Sequence, residues 1–337
     1  VFCSLLLVAA SIKAAQLGFH LCLPDSMDAP VPASALIHSA TLVSAGVYLL
    51  LRFFDLITLS GMSPTVALLG SCTAAYGGVV AGMQTDLKRA LAYSTISHCG
   101  FLFALTAFGG SSFALLYLFL HGFFKALSFI CAGDFIRLSA GYQDLNRMGG
   151  FFYLNPSLSS QFLIAMGNLC GLPFFLGYLF KSNFQLMALN NNSNLPFLIN
   201  ALLFLGLLSS LFYFFKVFYC VVFSFKKTNF KALSDFYKKN LLLYRYPLKS
   251  PIVLIVIFWF VYIVSFFCIF KYFNYTSGLL GNPLTDLQVT PLALTSLPSH
   301  TPQSAITERV NYLFNFYSLF TGVAFALVAS YANRRSG

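Results

Sequence analysis

Apolar residues in this chain form long continuous stretches, and polar residues gather between them. Nine stretches reach the roughly 20 residues that an α-helix needs to cross a bilayer core of about 30 Å. They cover residues 2–22, 31–53, 63–84, 88–108, 112–136, 157–190, 197–225, 250–272 and 311–332. The ten-residue alternation typical of transmembrane β-strands is missing. The pattern therefore predicts an all-α polytopic membrane protein with about nine transmembrane helices.

The sixth stretch is too long for one simple span, and its interior contains Gly171-Leu172-Pro173. Proline inside a helix removes a backbone hydrogen bond and clashes with the preceding turn. We therefore predict a broken helix here. Transporters commonly place such interruptions beside their ion paths.

The composition agrees with a membrane protein and disfavours several classes of site. Hydrophobic residues make up 58% of the 337 positions and charged residues 9%, with a mean hydropathy of +0.78. Soluble domains carry about a quarter charged residues. The eight cysteines are isolated, without the paired spacing of zinc or iron–sulfur ligands, so we expect no metal site. Nucleophile triads and phosphate-binding glycine loops are also missing, so no bond-making chemistry is expected of this chain alone.

The basic residues predict the orientation in the membrane. When loops are assigned alternately to the two sides, thirteen Lys and Arg residues lie on one side and three on the other. The positive-inside rule then places the C-terminus in a mitochondrial matrix or a bacterial cytoplasm. The net charge of +11 mostly reflects the basic loops on one side. It indicates anionic lipids, such as cardiolipin, as partners rather than nucleic acid.

Four lysines remain inside predicted spans, namely Lys13, Lys125, Lys181 and Lys216. A lysine at the bilayer centre costs about 2.5–3.5 kcal/mol on insertion scales, so it needs a reason to be there. Lys216 is near the basic end of its span. Its long side chain could carry the ammonium to the membrane interface, so snorkelling and a functional role remain equal alternatives for this lysine. The other three are near the middle of their segments, beyond reach of either interface. We interpret them as proton-carrying residues.

One predicted helix aligns several exchangeable groups. Tyr117, His121 and Lys125 are spaced i, i+4 and i+8, so they share one helix face. Burial makes an amine sensitive to neighbouring charges. Histidine can pass a proton through either ring nitrogen. This pattern is typical of a proton path.

The other histidines have weaker patterns. His38 lies in a polar patch and His98 lies beside serines, but a lone buried histidine is more often a hydrogen-bonded structural residue. His20, near a segment end, and His300, in a long loop, are predicted to be structural.

Five stretches resemble a known family. They read IKAAQLGFHLCLPDSMDAPVPASALIHSATLVSAGVYLLLRF from Ile12, MQTDLKRALAYSTISHCG from Met83, HGFFKALSF from His121, QDLNRMGGF from Gln143 and GLPFFLGYLFKSN from Gly171. They closely resemble the chain 5 family, the distal antiporter-like membrane subunits of NADH:ubiquinone oxidoreductase, or respiratory complex I. The resemblance runs in order over about residues 1–225 and more weakly to 332.

The resemblance implies roles for individual residues. Lys13 matches the proton-binding lysine of the family's first broken helix, and His38 matches the histidine that connects it onward. His121 and Lys125 match the pair on the helix between two half-channels. Lys181 matches the exit-side lysine of the second broken helix, where the sister chain 4 has a glutamate.

Further positions match less completely. Asp86 and Lys88 match a polar pair beside another helix start, which we treat as secondary sites. Tyr117 stands where many relatives carry a second histidine, so the central relay would depend on Tyr117 or on water. Ser182-Asn183 replaces an acidic pair that often follows the exit lysine, which weakens the expected local effect on Lys181.

The resemblance also predicts the domain organisation. Residues 1–225 would form antiporter-like channel helices, 226–249 a basic matrix loop, and 250–337 two peripheral helices joined by a long polar loop. The family's first six helices are not in this sequence, nor is the glutamate that pairs with the lysine matched by Lys13. We therefore expect a separate chain to supply them, with half of an inverted repeat on each polypeptide.

The function implied is proton translocation in the membrane arm of complex I, in a mitochondrial inner membrane. NADH, FMN, iron–sulfur clusters and ubiquinone would bind other subunits, so no cofactor is expected in this chain. Expected partners are chain 4, the chain with the missing helices and other membrane-arm subunits. Two alternatives stay open: a subunit of a multi-subunit cation/proton antiporter, and a structural membrane-arm scaffold that no longer pumps.

Overall fold

The computed structural model describes residues 2–172, 175–190 and 196–224. Within these ranges no β-strand forms. The α-helices are α1 Phe2–Lys13, α2 Cys22–Asp25, α3 Val31–Ala35, α4 Leu42–Arg52, α5 Phe54–Leu59, α6 Ser63–Met83, α7 Leu87–Ala107, α8 Ser111–Leu138, α9 Phe151–Leu154, α10 Pro156–Cys170, α11 Leu176–Asn190 and α12 Pro196–Phe218. The predicted helical class is confirmed. The predicted spans 250–272 and 311–332 and the basic loop 226–249 lie outside the described residues, so the count of nine stays a prediction.

Four segments are long and apolar enough to cross a membrane. They are Ser63–Met83, Leu87–Ala107, Phe113–Leu138 and Phe197–Phe223. Each corresponds to one predicted span, and these four predictions are confirmed. Among the four, Leu87–Ala107 (α7) is the most enclosed by other helices.

The predicted break in the sixth segment is confirmed. Helix α10 ends at Cys170, and α11 begins at Leu176. Gly171 adopts a left-handed conformation with φ of 71°, which glycine reaches without a Cβ penalty. The amide of Leu172 then donates a hydrogen bond back to the carbonyl of Gly167 at 3.0 Å. This pattern terminates a helix and satisfies its last carbonyls.

The first predicted span is wrong as a simple helix. Helix α1 ends at Lys13 rather than continuing to residue 22. Ala15 has a positive φ of 50°, and the buried Gln16 side chain accepts a hydrogen bond from Thr73 Oγ1 at 2.7 Å. This polar partner on α6 satisfies Gln16 in an apolar setting, where an unpaired amide would be costly. The first segment is therefore also interrupted, as the family resemblance implied.

The second predicted span is helical but not uniform. Residues Leu36–Thr41 form a π-helical turn between α3 and α4. The Thr41 hydroxyl donates to the carbonyls of Leu36 and Ile37 at 3.1 and 3.2 Å. Such π turns are rare and often occur at functional sites. His38 belongs to this turn.

Small residues bring the central helices close together. A Cβ at Gly70 of α6 would lie 2.6 Å from the backbone nitrogen of Ala104 on α7, and one at Gly77 would lie 2.7 Å from that of Ser97. Glycine at such positions lets two helix backbones approach in a membrane bundle. Because α6, α8, α11 and α12 all contact α7, the polar side chains of α7 are enclosed.

The ends of several helices meet at the side of the bundle that the loop charges predict to be basic. The amide of Leu145 donates to the carbonyl of Thr85 at 2.8 Å, and that of Leu87 to Gln143 at 3.1 Å. A single antiparallel bridge joins Asp86 to Asp144. The α6–α7 connection and the segment after α8 therefore lie together.

Candidate functional site: a buried cluster of lysines, histidines and tyrosines

Lys125 lies inside the bundle on α8 and is completely buried. Its Nζ donates to the carbonyl of Leu91 at 3.1 Å and to the hydroxyl of Ser94, both on α7. No carboxylate forms a salt bridge with it in the described ranges. The amine is therefore held by neutral oxygens. A buried charge without a counter-charge is sensitive to any change of charge nearby.

His98 of α7 is a buried histidine whose two ring nitrogens both have partners. Its Nδ1 lies 2.7 Å from the hydroxyl oxygen of Tyr117 on α8. Its Nε2 lies 3.1 Å from the hydroxyl oxygen of Tyr213 on α12. The ring of His121 is 5.2 Å away, centroid to centroid. His98 therefore joins three helices by hydrogen bonds through both of its ring nitrogens.

Lys181 connects the two halves of the broken helix. It lies on α11, and its Nζ donates to the carbonyl of Cys170, the last residue of α10, at 3.0 Å. A second hydrogen bond of 3.0 Å reaches the hydroxyl of Ser210 on α12. The ammonium also lies 5.6 Å from the centre of the Phe101 ring, within the range of a cation–π interaction. Like Lys125, it is buried among neutral groups.

The structure thus brings together four of the predicted site residues: Tyr117, His121, Lys125 and Lys181. All four are buried. Their side chains come from two helices, α8 and α11, and both of these helices contact α7. The arrangement can hold protons on amines, imidazoles and hydroxyls inside an otherwise apolar bundle.

Sequence reasoning missed part of the cluster. Tyr213 and Ser210 were not singled out, although both are buried and both contact predicted residues. Their signal was present, since Ser209, Ser210 and Tyr213 are polar positions within the very apolar α12. For His98 the sequence shows only neighbouring serines, since the two tyrosines that bond it are distant in sequence.

The structure does not bring Lys13 into this cluster. Lys13 is exposed at the end of α1, and no hydrogen-bond or ion-pair acceptor for it lies in the described part of the chain. The burial expected for this lysine is therefore not found among these residues. His38 lies in the π turn that precedes α4, in the same part of the fold as α1 because α1 contacts α4.

Asp86 and Lys88, the secondary pair, have different partners from one another. Lys88 is buried and donates to the carbonyls of Ala29 and Met27 at 3.2 and 3.5 Å. Asp86 instead lies 3.7 Å from Arg89, carboxylate oxygen to Nε. Burial, followed by the side-chain hydrogen bond with Asp144, raises the pKa of the Asp86 carboxyl. The two residues are neighbours at a helix start, not an ion pair.

Lys216 has a structural role that sequence reasoning left open. Its Nζ reaches the end of α6 and donates to the carbonyls of Gly82 and Gln84 at 2.7 and 3.0 Å. The last carbonyls of a helix lack intrahelical donors. The long lysine stem thus carries its charge to a helix end at the basic side, which agrees with snorkelling.

Within the described ranges no group of three or more His, Cys, Asp or Glu side chains could hold a metal ion. The seven cysteines located there are free thiols.

Comparison with known proteins identifies the family. The family described as "NADH:quinone oxidoreductase/Mrp antiporter, TM" matches residues 1–209. This chain belongs to that family. The match includes the broken helix and every cluster residue except Ser210 and Tyr213, which follow directly. Membership makes the chain an integral membrane protein, and the four candidate spans agree with it.

Individual relatives point to one branch of the family. NADH-ubiquinone oxidoreductase chain 5 of Paramecium tetraurelia is 51% identical over 229 residues, which are 68% of this chain and 40% of the relative. The chain 5 of Acanthamoeba castellanii is 36% identical over 236 residues, 70% of this chain and 35% of the relative. The predicted resemblance to chain 5 is confirmed. The matched region spans less than half the length of these relatives.

A solved structure supports the fold. The Mrp complex from Dietzia sp. DQ12-45-1b contains a chain with a TM-score of 0.57 and 23% identity, covering 66% of this chain and 42% of that chain. At this identity the likeness shows the fold alone. The helical antiporter-like arrangement is therefore shared with a solved membrane protein.

Proposed function

We propose that this chain is a proton-translocating part of the membrane arm of a respiratory NADH:ubiquinone oxidoreductase. Its buried lysines would load and release protons as the charge around them changes. Redox chemistry would take place in other subunits, which would hold NADH, FMN, iron–sulfur clusters and ubiquinone. The membrane would be the mitochondrial inner membrane, with the basic side facing the matrix.

One observation carries this proposal. Two fully enclosed lysines, Lys125 and Lys181, are held by neutral oxygens on either side of a cluster of hydroxyls and imidazoles. An ammonium buried without a carboxylate lowers stability, because its desolvation is not compensated by a counter-charge. If these two positions served packing alone, leucine or methionine would fill them. Retention of both amines supports a role in moving protons.

The path would run along the membrane arm. A change of charge elsewhere in the complex would act first on Lys13, whose proton would pass by way of His38 to the cluster at His121 and Lys125. It would leave from Lys181. Lys181 suits an exit position because it lies at the helix break, where backbone carbonyls are free of helical partners.

The exposed face of α1 supports a partner for Lys13. Phe2, Leu5 and Ile12 are between 50% and 64% exposed, and they lie along the helix near the exposed Lys13. A neighbouring helix that carries a carboxylate would cover this face and pair with the amine. Chain 4 and anionic lipids, such as cardiolipin, would be further neighbours of this chain in the membrane.

The test is the replacement of the cluster lysines in the assembled complex. Lys125→Met and Lys181→Met keep a similar side-chain length and remove the amine. We expect fewer protons moved per NADH oxidised, or a fall in turnover of about tenfold or more if pumping and oxidation are tightly coupled. The measurement is proton uptake by proteoliposomes together with NADH oxidation.

Lys216→Met is the matched control. It removes a third amine from the same bundle, but from a helix end outside the cluster. This variant should keep the ratio of protons to NADH. If both cluster variants assemble and keep the ratio and the turnover of the unmodified complex, the chain is a scaffold and the proposal is wrong.

A further inference from the structure

His98 hydrogen-bonds a tyrosine hydroxyl at each of its ring nitrogens, yet its sequence context assigns it no role in the proton path. It is enclosed on α7, and it is the only described histidine with a tyrosine hydroxyl at each ring nitrogen. A neutral imidazole has one N–H donor and one acceptor nitrogen, and a tyrosine hydroxyl can donate or accept. Either tautomer of His98 is therefore satisfied, provided that the two hydroxyls reorient.

One end of this arrangement leads to Lys125. The Tyr213 hydroxyl interacts with the side chain of Ser94 as well as with His98. The Ser94 hydroxyl in turn accepts a hydrogen bond from Lys125 Nζ. It donates to the carbonyl of Leu91 at 2.7 Å and has to turn towards Tyr213 to pass a proton on. A line of exchangeable groups thus runs from Lys125 through Ser94 and Tyr213 to Nε2 of His98.

The other end leads towards Lys181. Tyr117 bonds Nδ1 of His98, and together with Lys181 it lines a small cavity of about 10 Å³. Phe101, Phe180 and Phe184 form the rest of its wall with Leu105. A volume of this size is close to the minimum for one water molecule. A single water molecule in this cavity would have Tyr117 and Lys181 as its polar neighbours.

His121, the histidine expected in the relay, is less well connected. Its Nε2 is buried without a hydrogen-bond partner in the described structure. Its sequence neighbour on the helix face, Tyr117, bonds His98 of α7 instead. The i, i+4, i+8 face of α8 therefore does not by itself form the line of hydrogen bonds.

We propose that His98 is the junction of the proton path, which passes a proton between Tyr213 and Tyr117 and so links Lys125 to Lys181. The inference rests on the proposed function. Nε2 takes a proton from the Tyr213 hydroxyl, which regains one from Lys125 through Ser94. Nδ1 gives its proton to the Tyr117 oxygen, whose own proton moves on to Lys181. One proton leaves Lys125 and one reaches Lys181, and His98 ends in the other tautomer.

The experiment uses His98→Gln in the assembled complex. Glutamine keeps a hydrogen-bonding side chain but has no ring that exchanges tautomers. We expect pumping to fall about tenfold or more, or the ratio of protons to NADH to drop as in Lys125→Met. The solvent deuterium isotope effect on turnover should also change, a readout that a purely structural residue would not move.

His20→Gln is the matched control. His20 also bonds a tyrosine through Nε2, at 3.1 Å from the Tyr76 hydroxyl, but it lies outside the cluster. It should keep the pumping ratio and the isotope effect. If His98→Gln does not assemble, Tyr213→Phe removes only one oxygen from the same line and should give the same loss, with Tyr76→Phe as its control.

The outcomes separate this inference from the proposed function. Loss of pumping in His98→Gln or Tyr213→Phe, with normal controls, supports the junction. Normal pumping in these variants, combined with loss in Lys125→Met and Lys181→Met, overturns the junction and leaves the proposed function standing. Normal pumping in all four variants overturns both.

Discussion

The ammonium of Lys181 on α11 lies 3.0 Å from the carbonyl oxygen of Cys170, the last residue of α10. The lysine therefore caps the first half of the broken helix from the second half. This contact couples the protonation of one side chain to the geometry of the break. A neutral amine would make a weaker hydrogen bond to the same carbonyl, because charge-assisted hydrogen bonds are about twice as strong as neutral ones.

Gly171→Ala tests whether the geometry of the break controls Lys181. A Cβ at Gly171 would lie 2.8 Å from Cδ of Lys181, in a backbone conformation with φ of 71°. We expect a cost of about 1–2 kcal/mol from the left-handed conformation, and in addition a displaced Lys181 with reduced pumping. Thermal unfolding and proteoliposome pumping of the complex measure the two effects.

Gly109→Ala is the control for backbone strain. Gly109 has φ of 84°, and an added Cβ there meets nothing within 4 Å. It should lower stability to a similar extent and leave pumping intact. Equal pumping losses in the two variants would contradict a special role for the contact between Gly171 and Lys181.

Ser210→Ala should weaken pumping without preventing assembly. The substitution removes one of the two described acceptors of Lys181 and leaves the carbonyl of Cys170. Loss of a hydrogen bond to a charged group costs about 1.5–3 kcal/mol. The neighbouring Ser209→Ala removes a hydroxyl that donates only to the Gly206 carbonyl. Proton uptake per NADH should fall in the first variant and not in the second.

Lys216→Met should loosen the end of α6 rather than the proton path. It leaves the carbonyls of Gly82 and Gln84 without their lysine donor, at a cost of about 1–3 kcal/mol. Hydrogen exchange of the last amides of α6 should accelerate. Lys216→Arg keeps a donor and should restore slow exchange. If hydrogen exchange of these amides is unchanged in Lys216→Met, Lys216 does not cap the end of α6.

The contact between Asp86 and Asp144 should depend on pH. Arg89 and Arg147 each face one of these carboxyls from the same side of the bundle. Burial and Asp144 raise the pKa of Asp86 above its ordinary value of 3.8, so the folded contact binds a proton more tightly than the unfolded chain. The contact between Asp86 and Asp144 therefore stabilises the fold when the pH is below the ordinary carboxyl pKa. This stabilisation is lost as the pH rises through the raised pKa of Asp86.

The measurement is the protection factor of the Leu145 amide, which bonds the Thr85 carbonyl across this contact. Protection should decrease as the pH rises above 3.8, the ordinary value of the carboxyl pKa. Asp86→Asn, which cannot ionise, should remove the decrease. Asp55→Asn changes an exposed carboxyl on α5, and in this variant protection of the Leu145 amide should still decrease with pH. A decrease that persists in Asp86→Asn would assign the pH dependence to another group.

Much of the membrane architecture could be predicted from sequence, because helix formation in lipid depends on the length of apolar runs. The spans α6, α7, α8 and α12 and the break after Cys170 are of this kind. The end of α1 at Lys13 could not be predicted from hydropathy. It lies beside Gln16, whose side chain accepts a hydrogen bond from Thr73, a partner 57 positions away.

The sequence by itself determined which groups could carry protons, since a lysine within a long apolar helix is costly wherever it lies. It identified Lys125 and Lys181 for this reason, and Tyr117 and His121 by their helical spacing. Only the tertiary structure decided how these groups connect. His98, Tyr117 and Tyr213 come from three helices, and the hydrogen bond to Tyr213 joins residues 115 positions apart. Hydrogen bonds between side chains require contact, and helix packing alone sets which distant positions touch.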